Sequence, residues 1–223
     1  VSDVWPVEIL HDPTAVAVRA AEVIREHAHA AISQRNAFTF AFSGGRTPWA
    51  MFAELARADF PWDRTEISQV DERIVSAGSE DRNVTHLRAV LPSEAFARVH
   101  PMPVEAPDLD GAAARYEALL PERFDLIHLG LGPDGHTASL VPGDPVLDVT
   151  DRDVALTGPY QGHPRMTLTY PVIDRARALL WVVTGADKVD ALHRLRAHDR
   201  STPGGRITAN RAVVLADVAA SGG

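Results

Sequence analysis

Four short segments of the chain carry side chains able to act on a small anionic ligand. The first, Ser43-Gly-Gly-Arg-Thr-Pro48, combines two glycines, two hydroxyls and a guanidinium. Glycines let a backbone approach a ligand closely, and a helix starting here would add unpaired N–H groups and a positive dipole end. Ser43, Arg46 and Thr47 could donate further hydrogen bonds, so the segment suits a phosphate. A plain strand-to-helix turn with Thr47 as N-cap fits the same residues, and no Gly-Lys-Ser/Thr comes after it to make a Walker A loop. The second segment, Gly130-Leu-Gly-Pro-Asp-Gly135, matches G-x-G-x-x-G. It is a poor dinucleotide fingerprint, because it lies mid-chain and Pro133-Asp134 stands where the turn should run into a helix. The next residue matters more. His136, just past a glycine-rich turn, carries an imidazole that titrates near neutrality and is a natural general base; the plainer reading is a hydrogen-bonding surface histidine. The third segment, Asp71-Glu-Arg73, could aim an arginine at a ligand anion while a carboxylate orients a neighbour, or it is a solvated charge cluster. In the fourth, Thr184-Gly-Ala-Asp-Lys188, the lysine suits a phosphate counter-ion or a solvent-facing helix start.

Other chemistries find no support. The chain contains no cysteine, which removes disulfides, thiolate metal sites and thiol nucleophiles. His27 and His29 are two apart and share no helix face, and no H-E-x-x-H spacing occurs. Ser43 is not in a G-x-S-x-G elbow. Lys and Arg total 22 against 30 Asp and Glu, a net charge of −8 that repels a polyanion, so nucleic acid is not expected as a partner. A single cluster of arginine, lysine and backbone N–H groups can still hold a phosphate against that field. The apolar run 178–183 is far short of the roughly 20 residues of a membrane helix, and the first six residues have no signal-peptide pattern. No membrane association is expected, and the expected location is the cytoplasm.

The elements that must position these segments alternate. Strands are expected over 4–9, 38–42, 67–70, 124–131, 166–169, 179–184 and 212–215. Helices are expected over 13–33, from Pro48 through Ala56, through Leu87 and Val90, over 109–120 and over 188–197, with a loop over 76–83. The 223 residues are read as one domain, 1–223, of α/β class with a mainly parallel sheet flanked by helices. In such sheets ligands bind beyond the C-terminal strand ends. All four segments directly follow an expected strand.

Taken together, the segments resemble the 6-phosphogluconolactonase family within the group that includes glucosamine-6-phosphate deaminases. The resemblance rests on the run from Phe42 to Pro48, Val70-Asp-Glu-Arg73 with Asn83 downstream, and the long segment from Asp125 through Gly-His136-Thr-Ala-Ser-Leu to Gly143. Arg165-Met-Thr-Leu-Thr169 and Val183-Thr-Gly-Ala-Asp-Lys188 continue it in the family's order. It implies a modified Rossmann-like fold of the NagB/RpiA/CoA transferase-like type. It also implies hydrolysis of 6-phospho-D-glucono-1,5-lactone in the oxidative pentose phosphate pathway, without cofactor or metal, by a monomer or weak homodimer acting on a small sugar phosphate. His136 would be the base, Asp134 or Asp71 would orient it, and Arg73 would offset negative charge. Ser43, Gly44, Gly45, Arg46, Thr47, Arg165 and Lys188 would hold the phosphate, with Asn83 in the substrate site.

Two positions depart from the family's pattern. Arg46 stands where a small residue is usual, and Thr202-Pro-Gly-Gly-Arg206 replaces a Pro-Ala-Ser run. The rival readings are a sugar-phosphate isomerase or deaminase of the same group, a non-catalytic sugar-phosphate sensor, and a nicotinamide-dependent dehydrogenase. The run Thr137-Ala-Ser-Leu-Val-Pro-Gly143 favours the lactonase over the deaminase, and no helix-turn-helix supports a sensor.

Overall fold

The computed structural model describes residues 5–223. Its strands are β1 (Val7–Leu10), β2 (Phe38–Phe42), β3 (Thr65–Gln69), β4 (Asp71–Arg73), β5 (Val99–His100), β6 (Leu126–Gly130), β7 (Val154–Tyr160), β8 (His163–Leu168), β9 (Leu179–Val183) and β10 (Ala212–Asp217). The helices are α1 (Pro13–Arg35), α2 (Arg46–Arg57), α3 (Asn83–Val90), α4 (Ser93–Phe96), α5 (Leu109–Glu117), α6 (Tyr170–Asp174), α7 (Val189–Arg196) and α8 (Val218–Ser221). Seven strands form a parallel sheet in the order β1-β10-β9-β6-β2-β3-β5. Because strand side chains alternate, this sheet buries both faces. Phe38, Phe40, Phe42, Leu180 and Val182 pack under α1 and α2 with Ile24, Met51 and Phe52. Ile127, Leu129, Leu179, Trp181 and Val183 pack on the other face with Tyr116, Leu192 and Leu195.

The long first helix starts where its sequence dictates. Asp12 caps it by accepting from the Ala15 amide at 2.8 Å, Pro13 occupies the first turn, and Asn36 ends it in the left-handed region at φ 62°. Leu10 is the last residue of β1. The expected strand over 4–9 begins at a position outside the described residues, and Trp5-Pro6 precede the pairing.

Three expectations need correction. Asp71-Glu-Arg73, expected to follow a strand, is itself the strand β4, and the strand expected at 166–169 is β8, which does not join the main sheet. Together with β7 they form a second, antiparallel sheet in the order β4-β8-β7. Thr47 is not an N-cap: α2 starts one residue earlier, at Arg46, with Gly45 at the cap in a conformation (φ 140°) that disfavours a side chain. The Thr47 hydroxyl pairs instead with the Thr184 hydroxyl at 2.8 Å, tying two strand-end loops together.

Beneath the first of these loops lies His128. It is fully buried on β6, and its Nδ1 accepts from the Ser43 amide at 3.2 Å. Burial pushes its pKa down to about 3, so it is neutral in the fold. Protonation is therefore favoured in the unfolded chain between that value and the ordinary histidine pKa of about 6.5. Stability is at its full value above pH 6.5 and falls as the pH drops through that window. His128→Asn, whose side-chain oxygen can take over the acceptor role, should show a shallower fall in melting temperature between pH 6.5 and 4 than the wild type.

Candidate active site

A cavity of about 580 Å³ opens beyond the C-terminal ends of β2, β6 and β9, closed on one side by the small sheet. Among its lining residues are Ser43–Thr47 from the β2–α2 turn, Gly132 and His136 from the loop after β6, and Thr184 and Lys188 after β9. The second sheet contributes Asp71 and Arg73 from β4 and Arg165 from β8. Asn83, at the start of α3, completes that side.

The loop after β6 is built to hold one imidazole. Gly132 N–H donates to the His136 carbonyl at 2.8 Å and Gly135 N–H to the Gly132 carbonyl at 2.9 Å, with Gly135 at φ 81°. Asp134 Oδ1 accepts from the His136 amide at 3.1 Å and lies 2.6 Å from His136 Nδ1. A carboxylate there fixes the tautomer with the proton on Nδ1, leaving the Nε2 lone pair as the basic site. The His136 side chain is 19% exposed, at the cavity wall. Burial raises the Asp134 pKa, but the hydrogen bonds and charge of His136, with the Tyr160 hydroxyl, outweigh it and hold the carboxyl below its usual value. Asp134 is therefore ionised at neutral pH and able to stabilise an imidazolium.

Gly132 is required for this arrangement, since a Cβ at that position would overlap the His136 ring. Its backbone itself would accept alanine, so Gly132→Ala should fold with a melting temperature close to wild type. The methyl group must displace the imidazole, and a misplacement of about 1 Å costs roughly 10²-fold in rate. A steady-state assay alongside a thermal melt would show that separation; equal loss of both would point to a collapsed loop.

Across the cavity the cationic side chains are set in pairs. Arg73 and Arg165 are direct partners in the β4–β8 register. Like charges placed opposite each other in a sheet are unfavourable, and Asp71, 3.8 Å from Arg165 Nη1, offsets part of that cost. Arg165 is 4% exposed and makes only long contacts, 3.4 Å to Ser139 Oγ and 3.3 Å to the Tyr160 carbonyl. Burial lowers its pKa from the ordinary arginine value, as does Arg73, against the opposing pull of Asp71. The Nε atoms of Arg73 and Arg165 and the Ser43 hydroxyl are buried without a partner among the described residues. Buried polar groups are normally paired, so three unpaired donors around one cavity depart from the usual pattern. Gly44 leaves room for the Asn83 amide, which a Cβ would overlap, and Gly45 and the α2 N-terminus face the same space. Lys188 reaches the cavity from a short turn ahead of α7 with Asp187 2.9 Å from its Nζ, and Arg46 lies on the exposed rim.

The family profile of glucosamine-6-phosphate isomerases/6-phosphogluconolactonase matches residues 11–215. The chain belongs to this family. A 6-phosphogluconolactonase from Synechocystis is 38% identical over 204 residues, covering 86% of this chain and 85% of that one. The crystal structure of a 6-phosphogluconolactonase from Thermotoga maritima superposes with a TM-score of 0.84 at 27% identity, covering 95% of this chain and 98% of that one. A monomeric glucosamine-6-phosphate deaminase shares the fold alone, with a TM-score of 0.84 at 16% identity and coverage of 97% and 99%.

Within this family frame, the structure brings His136, Asp134, Arg73, Asp71, Arg165, Lys188, Asn83 and the Ser43–Thr47 turn around one space. It separates the two candidate partners of the imidazole. Asp134 bonds His136, whereas Asp71 is buried and accepts from Ser139 Oγ at 2.6 Å, with Asn83 Nδ2 at 3.5 Å and Arg165 Nη1 at 3.8 Å. Asp71 thus holds the arginine side of the cavity. Asn83 also ties that side together, donating to the Asp71 carbonyl at 3.0 Å and accepting from Arg73 at 3.4 Å.

Two further residues of the site carry little mark in the sequence. Ser139 stands three places after His136 within the Thr-Ala-Ser-Leu run, which marks the segment but gives this serine no role of its own. Tyr160 is a lone aromatic between Pro159 and a Gln-Gly turn, with nothing in its surroundings to single it out. Among the described residues no cluster of three or more His, Asp or Glu side chains is arranged to hold a metal ion, and no helix is long and apolar enough to cross a membrane.

Proposed function

We propose that this protein hydrolyses 6-phospho-D-glucono-1,5-lactone to 6-phospho-D-gluconate, a step of the oxidative pentose phosphate pathway. The observation that carries the reading is a His136–Asp134 pair and a buried arginine–glycine anion cradle facing a single cavity. Two curated relatives, 38% and 36% identical over 86% of the chain, are named 6-phosphogluconolactonase.

A lactone is an ester with an internal leaving group, so its hydrolysis needs an activated water, a stabilised oxyanion and a held substrate. No covalent nucleophile is required. His136 Nε2 takes a proton from water as the water oxygen bonds to C1 and the carbonyl electrons move onto oxygen. Asp134 stabilises the imidazolium so formed, and Arg73 offsets the charge on the tetrahedral oxyanion. Collapse re-forms the carbonyl and breaks the bond from C1 to the ring oxygen, which takes the proton from the imidazolium. Arg165, Lys188 and the N–H groups of the Ser43–Thr47 turn hold the 6-phosphate, fixing C1 by its distance from that anchor. In this reading the protein acts in the cytoplasm, as a monomer or weak homodimer, on a small molecule alone.

A pH-stat assay with freshly generated lactone, corrected for spontaneous ring opening, tests the proposal. Proton release should accelerate with enzyme concentration, and glucosamine-6-phosphate should yield no ammonia. Ammonia release without lactone turnover would transfer the chain to the deaminase branch.

A further inference from the structure

The hairpin joining β7 and β8 closes at Gln161-Gly162, both with positive φ (50° and 88°), a tight two-residue turn whose flanking pair is Tyr160 and His163. A register shift between Thr157 and Tyr160 breaks the regular pleat just before it. Such irregularities re-aim a side chain. Here they send Tyr160 towards the base: its hydroxyl donates to Asp134 Oδ2 at 3.2 Å and lies 3.4 Å from His136 Nδ1, and its ring meets the imidazole edge-on at 5.1 Å. The Arg165 guanidinium lies over the same ring, 5.1 Å from its centroid. One side chain therefore touches both the acid–base pair and the anion cradle.

We propose that Tyr160 is a positioning residue for the hydrolysis, its hydroxyl holding Asp134 in the rotamer that presents Oδ1 to His136 and its ring seating Arg165. The inference rests on the lactonase reading above. Asp134 is 36% exposed in its side chain, and without the phenol its Oδ2 would turn to solvent. The other ionisable groups lining the cavity with this pair are Arg165 on β8, Arg73 and Asp71 on β4, Arg46 on α2, and Asp187 and Lys188 after β9. All six remain in place in a Tyr160→Phe variant.

Two substitutions separate the hydroxyl from the ring. Tyr160→Phe should lower kcat about three- to tenfold, the net worth of one typical hydrogen bond, with KM within about twofold of wild type. The acidic limb of its kcat/KM–pH profile should move to lower pH, because an imidazolium without a held carboxylate is less stable, and an NMR titration of the His136 ring should move in the same direction. Tyr160→Leu, which also removes the face under Arg165, should raise KM as well. Wild-type kcat and an unmoved profile in Tyr160→Phe would overturn the inference. A merely structural role would lower the melting temperature without shifting the profile, and that result would overturn it too. The lactonase reading fails separately, through inactivity of the wild type or full activity of His136→Asn.

Discussion

Replacing His136 by asparagine is expected to lower lactonase kcat by about 10²–10⁴-fold, the usual worth of a positioned general base. KM should stay near the wild-type value, because the anion cradle is built from other loops and is untouched. Asparagine is similar in size and its site lies at the cavity wall, so a thermal melt should register little change. Asp134→Asn provides an independent check. Its amide nitrogen can donate to Nδ1, which then carries the lone pair, and the proton moves to Nε2. The base is thereby lost without removing the imidazole. Both variants should lose the pH-dependent part of the rate. Near-wild-type turnover in His136→Asn would remove the imidazole from the mechanism.

Arg165→Met is the second variant with a large expected effect. Truncating one member of a buried charged pair costs about 2–4 kcal/mol of binding, roughly 30- to 1000-fold in kcat/KM. The loss should appear mainly in KM, since Arg165 is assigned to the phosphate and not to the reacting carbon. A readout free of turnover is available. Inorganic phosphate binding to the native state alone raises the melting temperature by mass action. The wild type should show that rise with phosphate concentration and Arg165→Met should not. An equal rise in both would place the anion elsewhere. The Arg73–Arg165 register supplies the physical reason: like charges set opposite each other across β4 and β8 are unfavourable, and a phosphate held by Arg165 relieves that cost.

The main sheet is legible in the sequence because its strands are short apolar runs separated by helices of clear periodicity. Phe38–Phe42 and Leu179–Val183 are buried along most of their length, and that leaves a strong mark. The turn before α2 and the glycine loop before His136 can be read from their position after strands. The second sheet cannot. β7 ends in Thr157-Gly-Pro-Tyr160, where glycine and proline speak against a strand, and β4 is three charged residues whose pairing is decided by a distant partner. The choice between Asp134 and Asp71 stays open in the sequence for a similar reason. Both follow strand-forming runs, and only the fold shows that one carboxylate meets the ring while the other meets Ser139. Tyr160 escapes because its function depends on a turn folding back over the cavity, a geometry that spacing does not encode.

The divergent run at 202–206 lies directly against the base loop. Thr202 is buried against Gly135, where a Cβ would come 2.7 Å from the threonine Cβ, and Gly204 N–H donates to the Gly135 carbonyl at 2.9 Å. The segment stands behind that loop as a backstop, reached through main chain and one small side chain. Its contour fixes part of its lettering too, since a Cβ at Gly205 would overlap the Asp199 main chain. Whatever loosens this run loosens the footing of the imidazole, so catalytic speed is open to adjustment there from outside the substrate's reach.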